Sequence, residues 1–537
     1  MAVLTWNGAR YEYRCKTGMG QNAKEAGFHH DFRNSCYWTG LPEVARKLEL
    51  YADDRAKAKL NEIAAQVDLS KATDCNIDFK RPDGLNYFPF QRAGIAYALP
   101  RSKVLIADEM GLGKTMQAIG VANNDPIPVK NILVVPPAGL LINWERELLK
   151  WLCPKLSGDY ASSTKVPSSD IVLCNYEIGF RIKDLLAQRK WDMIIYDEAH
   201  YLKNADSKRT QAFLGSESKK GCYPLEARRL IFLTGTPILN RPIELWPMLR
   251  VIDPEGLGWS YWSFAKKFCG GDDQPAGYRE FSGSSNLDVL QERLRTSVMI
   301  RRLKKDVLKE LPPKRRQIIA IPGDAVKKQV QAELNFYVQN TQLIEDAINR
   351  AAQSQAAGDT ASYNEATADL RGLKQTLFME MAKLRHDTAV AKVPYLIQYL
   401  EDALEQQDKI VLFAHHQDVI NPIYQKFQSV AVKFDGSMSK EAKQLAVDIF
   451  QGQQRCKLFI GSITAAGVGI TLTEASYAIF AELDWRPAMV TQAEDRLHRI
   501  GQLESVLIQH IVFDNSLDAN MAKTIVEKQE VIDAAIG

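Results

Sequence analysis

Two sets of short apolar runs constrain the fold of this chain more than any other feature. Between about residues 88 and 250 lie VLIAD, NILVVPP, IVLCNY, MIIYDE and RLIFLTG. Towards the C-terminal end lie KIVLFAHH, KLFIGS, YAIFAEL and VLIQHIVF. Each run is short, rich in β-branched residues and bounded by turn signals, with amphipathic stretches between them. Runs apolar at every position fit strands buried on both faces of a parallel sheet. The pattern predicts an α/β chain with two doubly wound parallel-sheet lobes. The chain has 537 residues, room for several domains.

The rest divides around these lobes. Residues 1–80 read as a separate N-terminal module: YEYRCK and CYWTG are aromatic and β-prone, and a helical stretch runs from Pro42 to about Gln66. Lobe 1 is expected over 85–250, helical protrusions with an arginine-rich brace over 251–390, and lobe 2 over 391–537. Ala325 to Leu384 is rich in Ala, Gln, Glu and Lys, with Leu343, Ile344, Ile348, Leu370, Leu373 and Leu377 at helical spacing, and predicts a long helical hairpin. No apolar run reaches the roughly 18 residues of a membrane helix, and the first residues carry no secretory pattern. The 8 cysteines are scattered with no CxxC, which argues against a zinc ribbon or a disulfide framework.

The sharpest local signal is ADEMGLGKT after the strand VLIA. Gly111, Gly113, Lys114 and Thr115 predict a phosphate-binding loop between strand and helix. Glycines let backbone N–H groups close round phosphate oxygens, and the helix N-terminus adds positive potential. Lys114 is expected to reach the β- and γ-phosphates of ATP, and Thr115 to ligate Mg²⁺. Asp108 stands where the GxxxxGK[ST] pattern has its first glycine. Downstream, WDMIIYDEAH ends a strand in Asp197 and Glu198. Asp197 is the expected Mg²⁺ partner and Glu198 the group that orients or deprotonates the attacking water; an N-capping pair is the plainer alternative. Late in the chain QAEDRLHRIGQ places Arg496 and Arg499 three apart, on one predicted helix face, with Gln492 one turn before. Such cations can stabilise charge on a departing phosphoryl group, or form a solvated basic face.

Taken together and in order, these motifs resemble the helicase superfamily 2 ATPases, and within them the Swi/Snf-type DNA translocases. FPFQRAGIAYAL is similar to the family's adenine-reading Q motif, DEMGLGKT to its motif I, VVPPAGLLINWERELLKW to motif Ia, DEAH to motif II and LTGTP to motif III. MIRRLKKDVLKELPPKRR resembles its arginine-rich brace, VLFAHH motif IV, SITAAGVGITLTEAS motif V and QAEDRLHRIGQ motif VI. Among branches, VLFAHHQDVI and FAELDWRPAMVTQAEDRLHRIGQ look most like annealing helicases that remodel forks. Where the family has Trp-Asn-Pro, this chain has Trp485, Arg486 and Pro487.

The resemblance implies two RecA-like lobes with ATP in the cleft: Gln91 as adenine reader, Lys114, Thr115, Asp197 and Glu198 from lobe 1, and Gln492, Arg496 and Arg499 from lobe 2. It implies a motor that moves along double-stranded DNA, with forked or branched DNA as candidate forms; a monomer is expected. Asn143, Trp144, Thr236, Thr464 and Trp485 are the implied DNA contacts. A strand-separating helicase and a polymerase-associated scaffold are the alternatives. The segment 301–316 carries eight basic and two acidic residues. Bracing of the lobes is the family reading; DNA contact, an import signal or a solvated linker are the others. AGFHHDFRNSCYWTG, with Arg33, Tyr37 and Trp38, is expected to hold a β-hairpin that reads branched or single-stranded DNA, or simply to pack; His29 and His30 have no partners at metal spacing. The compact layout suggests the cytoplasm of a prokaryotic or virus-infected cell, or the nucleus if the host is eukaryotic.

Overall fold

The computed structural model describes residues 2–514 except 9, 16–19, 32–34, 40–41, 217–220, 236, 238–240, 271–280, 282, 322–327, a scatter of positions between 329 and 359, 467–468 and 485–486; beyond 514 it describes only 516, 518, 519 and 522. The chain forms two compact units, divided in sequence between Val307 and Leu308.

Unit 1 begins with an antiparallel sheet of β1 (Val3–Trp6), β2 (Tyr11–Arg14), β3 (His29–Asp31) and β4 (Cys36–Thr39), in the order β1-β2-β4-β3. One face buries Leu4, Tyr11 and Tyr13 against Ala56 and Leu60 of the helix Asp54–Lys71. Asp53 caps that helix by accepting from the Ala56 N–H at 2.7 Å. The hairpin expected near His29 is β3–β4; Arg33 lies outside the described residues.

The second sheet of unit 1 has seven strands: β5 (Lys103–Ile106), β6 (Ile132–Val135), β7 (Gly158–Tyr160), β8 (Ile171–Leu173), β9 (Trp191–Tyr196), β10 (Ala227–Leu233) and β11 (Met299–Ile300). Their order is β11-β5-β10-β9-β6-β8-β7, and every neighbouring pair is parallel. Leu105, Leu133, Val172, Ile194 and Phe232 are fully buried in one core, which is why these strands read as unbroken apolar runs. Burying each such side chain contributes about 1.5–3 kcal/mol. Strands β5 and β9 flank β10, so the turns at their carboxyl ends open on the same edge of the sheet, where parallel sheets bind ligands.

Unit 2 is built on β12 (Lys314–Ile321), β13 (Ile410–Ala414), β14 (Ala431–Phe434), β15 (Leu458–Ser462), β16 (Tyr477–Phe480) and β17 (Val506–Phe513), ordered β12-β17-β16-β13-β15-β14 and wholly parallel. Two parallel sheets therefore stand where the two sets of apolar runs predict them. Four strands carry no such signal. β7 and β11 are very short, β14 is broken by Lys433 and mostly half-buried, and β12 alternates half-buried and exposed positions as an edge strand that only begins within the segment read as a brace. Of the predicted hairpin, the second arm lies in one long helix, Thr360–Gln406; most of the first arm, including Gly358, lies outside the described residues.

Candidate nucleotide-binding site

The phosphate loop follows β5 and opens the helix Lys114–Asn124. Gly111 and Gly113 sit at φ +84° and +73°, the left-handed region that glycine enters without a steric penalty. At Gly113 a Cβ would also run into the Gln91 side-chain amide. Lys114 Nζ donates to the Asp108 carbonyl at 3.0 Å, and burial lowers its pKa against the pull of Glu198, Asp197 and Asp108. Thr115 is half-buried one residue into the helix.

Gln91 is 2% exposed. Its Oε1 accepts from the Phe88 N–H at 3.0 Å, capping the helix Pro89–Ala98, and its Nε2 donates to the Leu112 carbonyl at 3.2 Å. Both ends of this amide thus help fasten the helix to the phosphate loop, and a second N–H on Nε2 and a second lone pair on Oε1 remain beyond these two bonds.

Asp197 and Glu198 close β9. The Asp197 N–H continues the ladder to the Val135 carbonyl at 3.0 Å. Its Oδ1 accepts from the Glu198 N–H at 2.9 Å and its Oδ2 from Trp144 Nε1 at 2.7 Å, while its carbonyl accepts from the Tyr176 hydroxyl at 2.8 Å. Burial, together with the neighbouring Glu198 charge, raises its pKa to about 6. Glu198 adopts φ 48°, ψ 52°, a left-handed backbone uncommon for a residue with a side chain. Its Oε2 lies 3.3 Å from His200 Nδ1, and the same nitrogen is 3.4 Å from Thr234 Oγ1. The N-cap alternative fails, because Glu198 makes no side-chain cap and only a short 3₁₀ turn succeeds it.

Trp144 corrects a second expectation. It is fully buried and bonded to Asp197, so its indole cannot meet a DNA phosphate; the motif Ia resemblance located the residue but not its role. Asn143 beside it is half-buried. Thr464 is exposed just after β15. Thr236 and Trp485 lie outside the described residues.

The arginine segment of unit 2 departs from its predicted form. The helix stops at Glu494, and the chain continues through a series of tight turns. The Arg496 N–H bonds to Ala493, Leu497 and His498 to Glu494, and Arg499 to Leu497, so Arg496 and Arg499 lie in the turns after the helix and not on it. Glu494, at the end of the helix, is fully buried and holds Arg316 Nε at 2.9 Å and Lys314 Nζ at 2.9 Å. Burial alone would raise its pKa, but these cations bring it down to about 2. Arg496 is buried, and its carbonyl accepts from the Leu472 N–H at 2.9 Å. Arg499 Nη1 donates to Thr471 Oγ1 at 3.0 Å. Gln492 is buried, and its Nε2 has no hydrogen-bond partner among the described residues.

Two groups were not legible in the sequence. Arg302 makes a buried ion pair with Asp108, and Lys314 with Arg316 surrounds Glu494. Their only signal was the count of cations in 301–316, which does not say where those cations point.

Comparison with known proteins bears on what these groups do. A SNF2-related domain matches residues 44–383 and a helicase conserved C-terminal domain matches residues 391–501. The chain is 32% identical over 502 residues to a "SWI/SNF-related matrix-associated actin-dependent regulator of chromatin subfamily A-like protein 1" of Xenopus tropicalis, covering 91% of this chain and 48% of that protein. It is 33% identical over 494 residues to the "DNA annealing helicase and endonuclease ZRANB3" of Homo sapiens, covering 87% and 42%. The chain thus spans about half the length of the curated relatives it matches or less. A solved SWI2/SNF2 ATPase core of Sulfolobus solfataricus in complex with dsDNA aligns with 84% of this chain and 93% of its own at 23% identity, TM-score 0.38. Among the described residues no helix is long and apolar enough to cross a membrane.

Proposed function

The chain belongs to the SNF2-related family, and from that premise we propose that it is an ATP-dependent double-stranded DNA translocase that remodels DNA structures or protein–DNA complexes. The observation that carries this reading is the pairing of two turns on one sheet edge: the Gly111–Thr115 loop after β5, and the Asp197–Glu198 pair after β9, with β10 between them. The printed name of one relative, a DNA annealing helicase, supports DNA as the substrate; forked or branched DNA is part of the proposal.

In this reading the loop N–H groups bind the phosphates of ATP and Lys114 neutralises their charge. The site also suits Mg²⁺: a hydroxyl at Thr115 and a carboxylate at Asp197 are hard oxygen donors, and each carboxylate oxygen has lone-pair capacity beyond the one bond it makes. Thr115 and Asp197 would hold the ion, which supplies charge neutralisation at the transferring phosphoryl group. Glu198, held near His200, orients or deprotonates the attacking water. Turnover depends as well on Gln492, Arg496 and Arg499. DNA contacts are mostly to phosphate and independent of sequence, with Asn143, Thr236, Thr464 and Trp485 contributing.

The second reading is a strand-separating helicase; a scaffold without turnover fits poorly with a complete set of site residues. A triplex-displacement assay together with a long-duplex unwinding assay separates the two. Displacement of a triplex strand without unwinding is expected. Robust unwinding of the long duplex would replace the translocase with a helicase.

A further inference from the structure

Between LTGTP and the arginine-rich segment lies a stretch of unit 1 that belongs to none of the motifs above, and it shows two tryptophans to solvent. Trp259 is 77% exposed and Trp262 is 55% exposed. Apolar side chains scattered singly over a surface need no explanation. Two of the largest, three residues apart and both turned outward, do need one, because burying an aromatic ring is among the largest gains open to a chain.

The rings do not stand on a loose loop. The helix Trp246–Ile252 ends in a turn fastened on Asp253. The Asp253 carbonyl accepts from the Gly256 and Gly258 N–H groups at 3.2 and 2.8 Å, and its Oδ2 accepts from the Leu257 N–H at 2.8 Å. Leu257 is buried, and Gly258 lies so close to the Leu249 carbonyl that a Cβ there would strike it. The Trp259 N–H closes the turn on the Gly256 carbonyl at 3.2 Å. Ser260 then caps the helix Tyr261–Phe268, which buries Phe264, Ala265 and Phe268. Trp262, Ser263 and Lys266 of that helix are exposed. Trp262 meets Tyr261 and Phe281 edge to face, each at 5.7 Å between ring centroids, and Tyr261 stands the same way on the buried Trp246 at 5.6 Å. A ladder of rings runs from the core to the surface, and its last member is held in place with much of its area in water. The helix has Lys266 and Lys267 in its last turn and no carboxylate.

Fixed aromatic rings with lysines beside them suit one kind of partner. The cores of protein–protein contacts take up Trp and Tyr but are depleted of Lys. Unpaired nucleic-acid bases stack on exposed rings whatever their sequence, while cations meet the phosphates between them. Bases inside a duplex cover one another's faces and are closed to such stacking. We propose that Trp259 and Trp262, with Lys266, form a stacking platform for single-stranded DNA, the unpaired arm of a fork, in addition to the phosphate contacts made with duplex. The inference rests on the DNA-motor reading above and gives the unpaired part of the substrate a seat on unit 1.

Anisotropy titrations of a labelled oligo-thymidine strand and of a blunt duplex, at one fixed salt concentration, test it. Trp259→Ala should weaken single-strand binding about fivefold or more, the size of one lost base stack, with duplex affinity and duplex-stimulated kcat within about twofold of the parent. Adding Trp262→Ala should deepen the single-strand loss. Trp259 stands mostly in solvent, so its truncation spares the fold. Trp259→Phe should keep most of the affinity, because a phenyl ring still stacks. Lys266→Gln should reduce the slope of log K against log salt for the single strand by about 0.7. Unchanged single-strand affinity in the double alanine variant would overturn the platform and leave the rings to a protein partner. Equal losses for strand and duplex would overturn it too, and place the rings on the duplex track. A parent that binds duplex but no single strand would overturn the platform and leave the motor standing. A parent whose turnover ignores DNA, with single-strand binding still lost in the double variant, would remove the motor and keep the platform.

Discussion

Trp144 Nε1 donates to Asp197 Oδ2 at 2.7 Å, with the indole wholly removed from solvent. The contact ties the helix Leu141–Trp151 to the carboxylate proposed to hold the metal ion, and fixes one of its two oxygens. Trp144→Phe keeps most of the packing and removes the donor. We expect a stability loss of about 1.5–3 kcal/mol, that of a hydrogen bond to a charged group. We also expect a higher Mg²⁺ requirement for turnover and unchanged DNA affinity. Urea unfolding, a Mg²⁺ titration of ATPase activity and DNA anisotropy read the three effects; a selective loss of DNA affinity would return Trp144 to the DNA surface.

Gln91 bonds to the phosphate loop, and we propose that holding the loop, more than selecting the base, is its part in the site. Gln91→Ala should raise KM for ATP several-fold and leave kcat and the ratio of ATP to GTP use unchanged. The capping loss itself costs about 1 kcal/mol. Loss of the ATP preference on steady-state comparison of the two nucleotides would make Gln91 a reader after all.

Lys114→Ala should abolish turnover through lost phosphate neutralisation. Glu198→Gln should lower kcat by about 10²–10⁴, the usual worth of a general base, while nucleotide still binds. Both variants should bind duplex DNA like the parent in anisotropy titrations. Undiminished ATPase in either would remove these residues from the site.

Unit 2 carries a titration that should be visible in its stability. His510 is buried beside Glu494, Arg316 and Lys314, and neither ring nitrogen is hydrogen-bonded among the described residues. Burial lowers its pKa from 6.5 to about 4. Between those values the unfolded chain binds a proton that the folded chain refuses. Stability is therefore full above pH 6.5 and falls as pH drops towards 4, by about 3 kcal/mol. Glu494 adds a separate loss further down, as pH falls from its ordinary 4.5 through about 2. His510→Phe should flatten urea midpoints between pH 6.5 and 4 and keep the acid limb. A midpoint that still falls over that range would assign the titration to another group.

The parts of this molecule legible in its sequence are those where one local rule decides. Strands such as ILVV and IVLFA are buried on both faces, so their apolar runs stand out. The GLGKT turn needs glycine at positive φ, and the residues show it. The parts that stayed hidden depend on distant partners. The strand KRRQIIAI carries no local signal because, among the described residues, it pairs with β17, almost two hundred residues later. The turns after Glu494 are not legible in DRLHR, and neither are the distant partners of the Glu494 carboxylate, Lys314 and Arg316. Trp144 was located by its motif, but only the fold shows that it faces Asp197 and not DNA.

The central claim, that this is a DNA-driven ATPase, is tested most directly by ATP turnover with no DNA, single strands, duplex and forked DNA at one fixed salt concentration, because phosphate contacts are salt-sensitive. The account predicts strong stimulation by duplex or forks over single strands, lost in Lys114→Ala. Turnover indifferent to DNA in the parent chain would contradict it.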